Sequence, residues 1–174
     1  MGKVQKHHLI KLVIGFIASG EKLFPPTERA LRLKFGAIDF ESEILPFDFT
    51  DYYEEEIGTN LKRKFISFKR LVSAESLAEI KLSTNRLEQR LSLHGKRSIN
   101  IDPGYLTAAK LVLATTKDFS HRILLRKGIF AEVTLFYAKN SFRPFAWTYP
   151  DYRSPDYLAI FNHIREIYLK QIKV

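Results

Sequence analysis

The residues best equipped for chemistry crowd into INIDPGYLTAAKLVLATTKDFSHR, residues 99–122. There Asn100, Asp102, Tyr105, Lys110, Thr115, Thr116, Lys117, Asp118, His121 and Arg122 interrupt strongly apolar sequence. A polar group buried beside apolar segments must find a hydrogen bond, so ordinary cores carry few of them and a site is expected here. His121 titrates near neutral pH and, with Asp102 orienting its ring, would serve as a general acid or base. Lys117 and Arg122 would hold a phosphate or carboxylate. Asn100 and Tyr105 are further ligand-binding candidates, and Thr115 and Thr116 supply hydroxyls without an evident activating base. The plainer alternative has Asp102 stabilising a turn at Asp102–Pro103–Gly104, His121 opening a strand and Arg122 paired with Glu132.

Two other stretches carry chemistry of a weaker kind. Asp48, Asp51, Glu54, Glu55 and Glu56 lie within nine residues. Asp48 and Asp51 are therefore candidate ligands for a divalent cation that prefers oxygen, although the glycine and terminal glutamate of an EF-hand loop are absent. Helix capping by Thr50 or Asp51, with Gly58 as the stop, explains the same residues without a metal. Residues 142–157 hold six aromatics interleaved with Arg143 and Arg153. Trp147 and Tyr149 would cover a bound ligand or stack on nucleobases; alternatively the segment packs on the core. The paired H-x-[ST] motifs of a two-histidine phosphodiesterase are missing, and His7, His8, His94 and His163 have no spacing that makes a zinc site.

Composition narrows the classes. The 174 residues are enough to bury a core without staples, and one domain over residues 1–174 is expected. With no cysteine, disulfides, thiolate nucleophiles, zinc fingers and iron–sulfur clusters are excluded. Net charge is +9, but residues 39–56 hold eight of the 19 acids and no Lys or Arg, so the remainder carries 28 basic against 11 acidic residues. Such an excess attracts phosphates or nucleic acid, and equally serves solubility. The N-terminal apolar run Leu12–Ala18 is far short of the roughly 20 residues that span a membrane. It lacks a signal-peptide cleavage site, so it reads as a buried strand and the chain as cytoplasmic.

The elements that must position these residues follow from periodicity. Leu9–Ala18 is a strand covered on both faces. Pro25 and Pro26 introduce a helix ending at Gly36, and Ala37–Phe49 is an imperfect strand around Pro46. Lys62–Leu71 is a strand, and Ser73 caps a helix to about Ser92 whose apolar stripe is Leu77, Ile80, Leu87 and Leu91. Thr84 occupies the missing position of that stripe and is expected to bond back to a carbonyl. Arg97–Ile101 is another strand and residues 105–116 a short helix. His121–Leu125 and Ile129–Tyr137 form a hairpin around Arg126–Lys127–Gly128, which sets Arg122 opposite Glu132. Ser154–Pro155 starts a final helix with Tyr157, Ile160, Phe161, Ile164, Ile167 and Tyr168 on one face.

PFDFTDYYEEEIG (46–58), NIDPGYLTAAKLVLATTKDFSHRI (100–123) and WTYPDYRSPDY (147–157) together resemble a bacterial family catalogued as domain of unknown function 4416. The resemblance implies no activity, substrate or cofactor. Some members carry a GTP-binding label, which calls for a phosphate loop. The nearest candidate, GFIASGEK at 15–22, puts Glu21 where that loop needs lysine and Lys22 where it needs a hydroxyl.

The expected fold is α+β, in ferredoxin-like βαββαβ order extended by a C-terminal β-hairpin and helix, a single sheet with helices on one side. The expected function is to bind or process a phosphorylated or nucleotide-like anion around residues 100–122, with Asp102 and His121 as the acid–base pair. The alternative is a basic RNA-binding or ribonucleoprotein-associated module without catalysis. A protein partner or a second copy of the chain remains a third option, for which an exposed apolar patch would be the mark.

Overall fold

Leu12, Ile14, Phe16 and Ala18 point to one side of the first strand, and Lys11, Val13, Gly15 and Ile17 to the other. All eight are buried, so β1 (Lys11–Ala18) is a central strand covered on both faces, as its unbroken apolar run requires. The computed structural model describes residues 2, 3, 7–93 and 95–172; His94 lies outside the described residues. After β1 come α1 (Phe24–Phe35), β2 (Ile38–Glu41), β3 (Leu45–Pro46), α2 (Glu54–Ile57), β4 (Lys62–Phe68), α3 (Leu77–Arg90) and β5 (Ile99–Leu106). The second half runs β6 (Lys110–Thr115), β7 (Arg122–Arg126), β8 (Ile129–Ala138), β9 (Ser141–Pro144) and α4 (Pro155–Ile172). The strands form one antiparallel sheet of nine in the order β2-β4-β1-β5-β6-β8-β7, with β3 joined to β4 and β9 to β8.

The helices divide between the two faces, which corrects the expectation of helices on one side. The even residues of β1 join Ile66, Phe68, Ile99 and Ile101 under α1 and α3. Val13 and Phe65, on the opposite face, pack under Tyr157, Phe161, Ile164 and Tyr168 of α4. Strand alternation therefore feeds two cores from one sheet. The serine caps act as expected: Ser154 Oγ accepts from Tyr157 N at 3.3 Å, and Ser73 Oγ from Glu75 N at 3.3 Å.

Residues 105–116 do not form a helix. They close a hairpin between β5 and β6, whose turn is held by Thr107 Oγ1 accepting from the backbone N–H groups of Ala109 and Lys110 at 3.2 Å each. Helical spacing of Leu106, Ala109 and Leu113 coincided with a strand–turn–strand, because a short apolar run satisfies either period. Asp102–Pro103–Gly104 is accordingly no turn; it lies inside β5, opposite Gly15, Ile14 and Val13. The β7–β8 loop is shorter than expected. Arg126 pairs with Ile129, and Lys127 (φ 53°) and Gly128 (φ 72°) make a two-residue turn in the left-handed region, which matches strand twist. Residues 37–49 break into β2 and β3 instead of one strand. Among the described residues, no helix is long and apolar enough to cross a membrane.

Two glycines set the spacing of the central strands. A Cβ on Gly15 would sit 2.8 Å from the Phe65 ring, and a Cβ on Gly104 would sit 2.5 Å from the backbone oxygen of Val112. A ring can tilt, whereas a carbonyl inside a paired strand cannot. Gly15→Ala is expected to destabilise by about 1–3 kcal/mol and Gly104→Ala by more, read as urea midpoints. A Gly104→Ala protein as stable as the wild type would refute this close approach of β6 to β5.

Candidate functional site

The β5–β6 hairpin opens toward one end of the sheet. Its register covers only Gly104–Leu106 against Leu111–Leu113, so the first part of β5 has β1 on one side and no strand on the other. Helix α3 serves that bare edge. Glu88 Oε1 accepts from Ile101 N at 2.6 Å, and Lys81 Nζ donates to Ile101 O at 2.9 Å. Two side chains thus replace a missing strand, as buried backbone groups require. Thr84 Oγ1 donates to Lys81 O at 2.9 Å, the back-bond that its place in the apolar stripe predicts.

The opening is a cleft of about 730 Å³. One wall is α3 and the segment after it, through Lys81, Asn85, Glu88, Gln89 and Ser92 at helical spacing. Facing it are Thr115, Thr116, Lys117 and Arg122, and the mouth carries Phe49, Tyr52, Tyr53 and Tyr149. Among the described residues, the cations Arg63, Lys81, Arg97, Lys117 and Arg122 line it together with the acids Glu88, Asp102, Glu132 and Asp151.

Arg63 forms the floor. It extends from β4 on the α4 face and is 1% exposed. Its Nη2 donates to Asp151 Oδ2 at 3.2 Å and to the Tyr152 hydroxyl at 3.0 Å. The rings of Phe65, Tyr152, Phe47 and Tyr157 surround the guanidinium, with centroids 4.8, 5.3, 5.7 and 5.7 Å away. Its Nε and Nη1 are sealed from water and have no hydrogen-bond partner; Nη1 stops 3.7 Å from Asp102 Oδ2. Gly15, opposite both Phe65 and Asp102 in register, leaves the room that this arrangement needs.

The sequence candidates divide between this cleft and its surroundings. Asp102 and Asn100 lie side by side on the floor, Asn100 Nδ2 donating to Asp102 Oδ2 at 2.5 Å. Lys117, Arg122 and Tyr149 line the wall and mouth. Lys117 Nζ donates to the Tyr52 hydroxyl at 2.6 Å. Arg122 meets Glu132 at 2.9 Å, in the cross-strand pair that the hairpin predicts, and also donates to the Tyr149 hydroxyl at 3.0 Å. His121 is not brought to Asp102. Its Nε2 lies 3.0 Å from Glu132 Oε2, and its ring stacks on Trp147, which stacks in turn on Phe145. Neither His121 nor Trp147 lines the cleft. Tyr105 points to the other side of the sheet, against the cluster of Leu77 and Val112. Asp48 is exposed and outside the cleft, and the side chain of Asp51 lies outside the described residues. Among the described residues, no group of three or more His, Asp or Glu is placed to hold a metal ion.

Arg63, Glu88 and Asp151 were not singled out as site residues, and Lys81 only as a secondary contact beside Thr84. Arg63 carried a signal: in KRKFISF it shares the inward side of the strand with Phe65 and Ser67. Lys81, Asn85 and Glu88 were legible as a polar line beside the apolar stripe of α3.

Burial holds the carboxyls of Glu88 and Asp151 above their ordinary range, against the pull of Lys81 on Glu88 and of Arg63 on Asp151. For Glu88 the sign is as follows: the unfolded group titrates at about 4.3 and the native one higher, so the native state binds more protons in between. Stability is then lost as pH rises through that window. Relative to Glu88→Gln, the wild type is expected to lose stability from about pH 4.3 upward and then level off. Urea unfolding at a series of pH values checks this; parallel profiles would show that Glu88 is not desolvated.

A comparison with protein families bears on the whole chain. No curated protein matches it, and no solved structure does. The model of the family described as Domain of unknown function (DUF4416) matches residues 8–168 of the 174, in agreement with the three motifs, and the chain belongs to that family.

Proposed function

We propose that the cleft between α3 and the β6–β7 connection binds a small phosphorylated or nucleotide-like anion. The observation that carries this reading is Arg63: a sealed guanidinium whose Nε and Nη1 make no hydrogen bond, at the base of a 730 Å³ cleft. Native structures rarely leave such groups unsatisfied away from functional sites. Lys117 at the mouth and the tyrosine rings of residues 52, 53 and 149 support an acidic ligand with an aromatic or sugar face. Asp102, Asn100, Lys117, Arg122 and Tyr149 stay in the proposed site, and Arg63, Lys81 and Asp151 join it. His121, Tyr105, Trp147 and Asp48 leave it. The neighbour order β2-β4-β1-β5 also supports a ferredoxin-like reading of the first half, with the β6–β9 strands and α4 as its extension.

RNA binding is the weaker reading. Of the aromatics in 142–157, Phe142, Tyr152 and Tyr157 are buried, and exposed Trp147 stacks on half-buried Phe145 and His121. A thermal-shift panel of nucleotides, phosphosugars and short RNAs, each with and without magnesium, separates the two. A ligand at 100 times its Kd adds about 2.7 kcal/mol. A nucleotide or phosphosugar is expected to raise Tm, and the exposed substitution Lys117→Glu to weaken it at least tenfold. A shift with RNA alone, fading as salt rises, would overturn the small-molecule reading, and so would no shift at millimolar ligand.

A further inference from the structure

We infer that Asp102 is the group of the cleft that reads its ligand, and that it takes the vicinal hydroxyls of a sugar. The ligand is then a sugar phosphate or ribonucleotide rather than a bare or planar acid. This rests on the anion-binding reading of the cleft proposed above.

Among the described acids of the lining, Asp102 is the most exposed. Its side chain is 25% exposed, against 9% for Asp151, 8% for Glu88 and 3% for Glu132. Those three are consumed: Asp151 by Arg63, Glu88 by Ile101 N and Arg97, Glu132 by Arg122 and His121. Asp102 is bonded but not enclosed. Asn100 Nδ2 donates to Oδ2 at 2.5 Å and Lys81 Nζ to Oδ1 at 3.4 Å, while Arg63 Nη1 at 3.7 Å is too far for a hydrogen bond. A carboxylate offers about four acceptor positions, and the ones turned to the cleft remain open.

The chemistry of the complementary group follows from charge. Lys81 and Arg63 stand 3.4 and 3.7 Å from Asp102 and already balance it. An ammonium or guanidinium ligand would gain little there. Neutral O–H donors meet no such opposition, and two on adjacent carbons match the two oxygens of one carboxylate. The remaining lining, with Asn85, Thr115 and Thr116 as uncharged hydrogen-bonding groups and Tyr52 and Tyr53 as rings, is of the kind that accommodates a sugar and what it carries. The phosphate then lies outward, toward Lys117 at the mouth.

Isothermal titration of the full chain with ribonucleoside 5′-monophosphates, their 2′,3′-dideoxy counterparts, ribose 5-phosphate and inorganic phosphate tests this. Removal of the hydroxyls is expected to weaken binding at least tenfold in the wild type. Asp102→Asn is expected to abolish that discrimination, leaving dideoxy affinity equal or higher. If ribose 5-phosphate matches the nucleotides, the ligand is a sugar phosphate; if it binds tenfold or more weakly, the base contributes and the ligand is a nucleotide. Equal binding of ribo and dideoxy forms would overturn the role of Asp102 while leaving the anion site standing. Binding of none of these probes would overturn both. Should Asp102→Asn fail to fold, the wild-type comparison of ribo with dideoxy ligands still decides.

Discussion

Everything at the working end of this molecule is arranged around one buried charge. Arg63 lies among four aromatic rings with a single carboxylate, Asp151, within hydrogen-bonding distance. A guanidinium taken out of water needs compensation, which here comes from that ion pair, the Tyr152 hydroxyl and ring faces. Meeting those needs dictates much else. The turn Asp151–Arg153 must reach from the start of α4 back over the sheet; Phe65 must lie flat across β1; and Gly15 must lack a side chain to let it. The first turn of α4 is tied in by Tyr157, whose ring packs 4.7 Å from Phe65 and whose hydroxyl burial pushes up to a pKa of about 12. One cation on β4 thereby fixes the relation between the sheet and the C-terminal helix.

The second constraint is the parting of β5 from β6. A sheet interior that opens exposes backbone donors and acceptors, and these must be met by something other than a strand. Helix α3 meets them with Glu88 and Lys81, long side chains whose ends carry charge where a neighbouring strand would carry peptide groups. The cleft is polar for this reason. Apolar substitutes at either position would fill the space but leave Ile101 unpaired, so the charges that line the wall and the hydrogen bonds that hold the sheet open are the same atoms.

Much of the scaffold was legible beforehand, because it rests on local rules. The buried run of β1, the stop at Gly36, the serine cap of α4 and the Arg122–Glu132 pairing depend on periodicity, caps and hairpin register, all confined to neighbouring residues. The site was only half legible. Asn100 and Asp102 stood out because they are polar in an apolar strand, whereas Arg63 looked like one more charge in KRKF, and Asp151 like one more loop acid in YPDYR. Their roles depend on a contact across 88 residues that no local pattern encodes. His121 fails in the opposite way: its side-chain type suggested catalysis, but hairpin register delivers it to Glu132 and to the ring of Trp147. The 105–116 segment was misread because its apolar spacing fits both periods, and the deciding features, the Thr107 turn and the close approach at Gly104, are tertiary.

Stability alone does not explain such a floor. Replacing a buried ion pair by well-packed apolar groups is often neutral or stabilising, and a pair that leaves two guanidinium nitrogens unmet is a poor stabiliser even among ion pairs. This sheet had the means to be dry there: Ile17 and Phe47, which also border the cleft, belong to a buried apolar cluster. An apolar residue at 63 would have extended that cluster without desolvating a charge. The cost is accepted where the sheet also opens and where Asp102, though paired with Lys81, keeps a quarter of its side chain exposed. Coincidence of an under-bonded cation, an open acceptor and an enclosed volume is what a binding site requires and what a core avoids. These observations are why we propose the cleft, rather than the aromatic surface or the acidic helix at 54–57, as the ligand site.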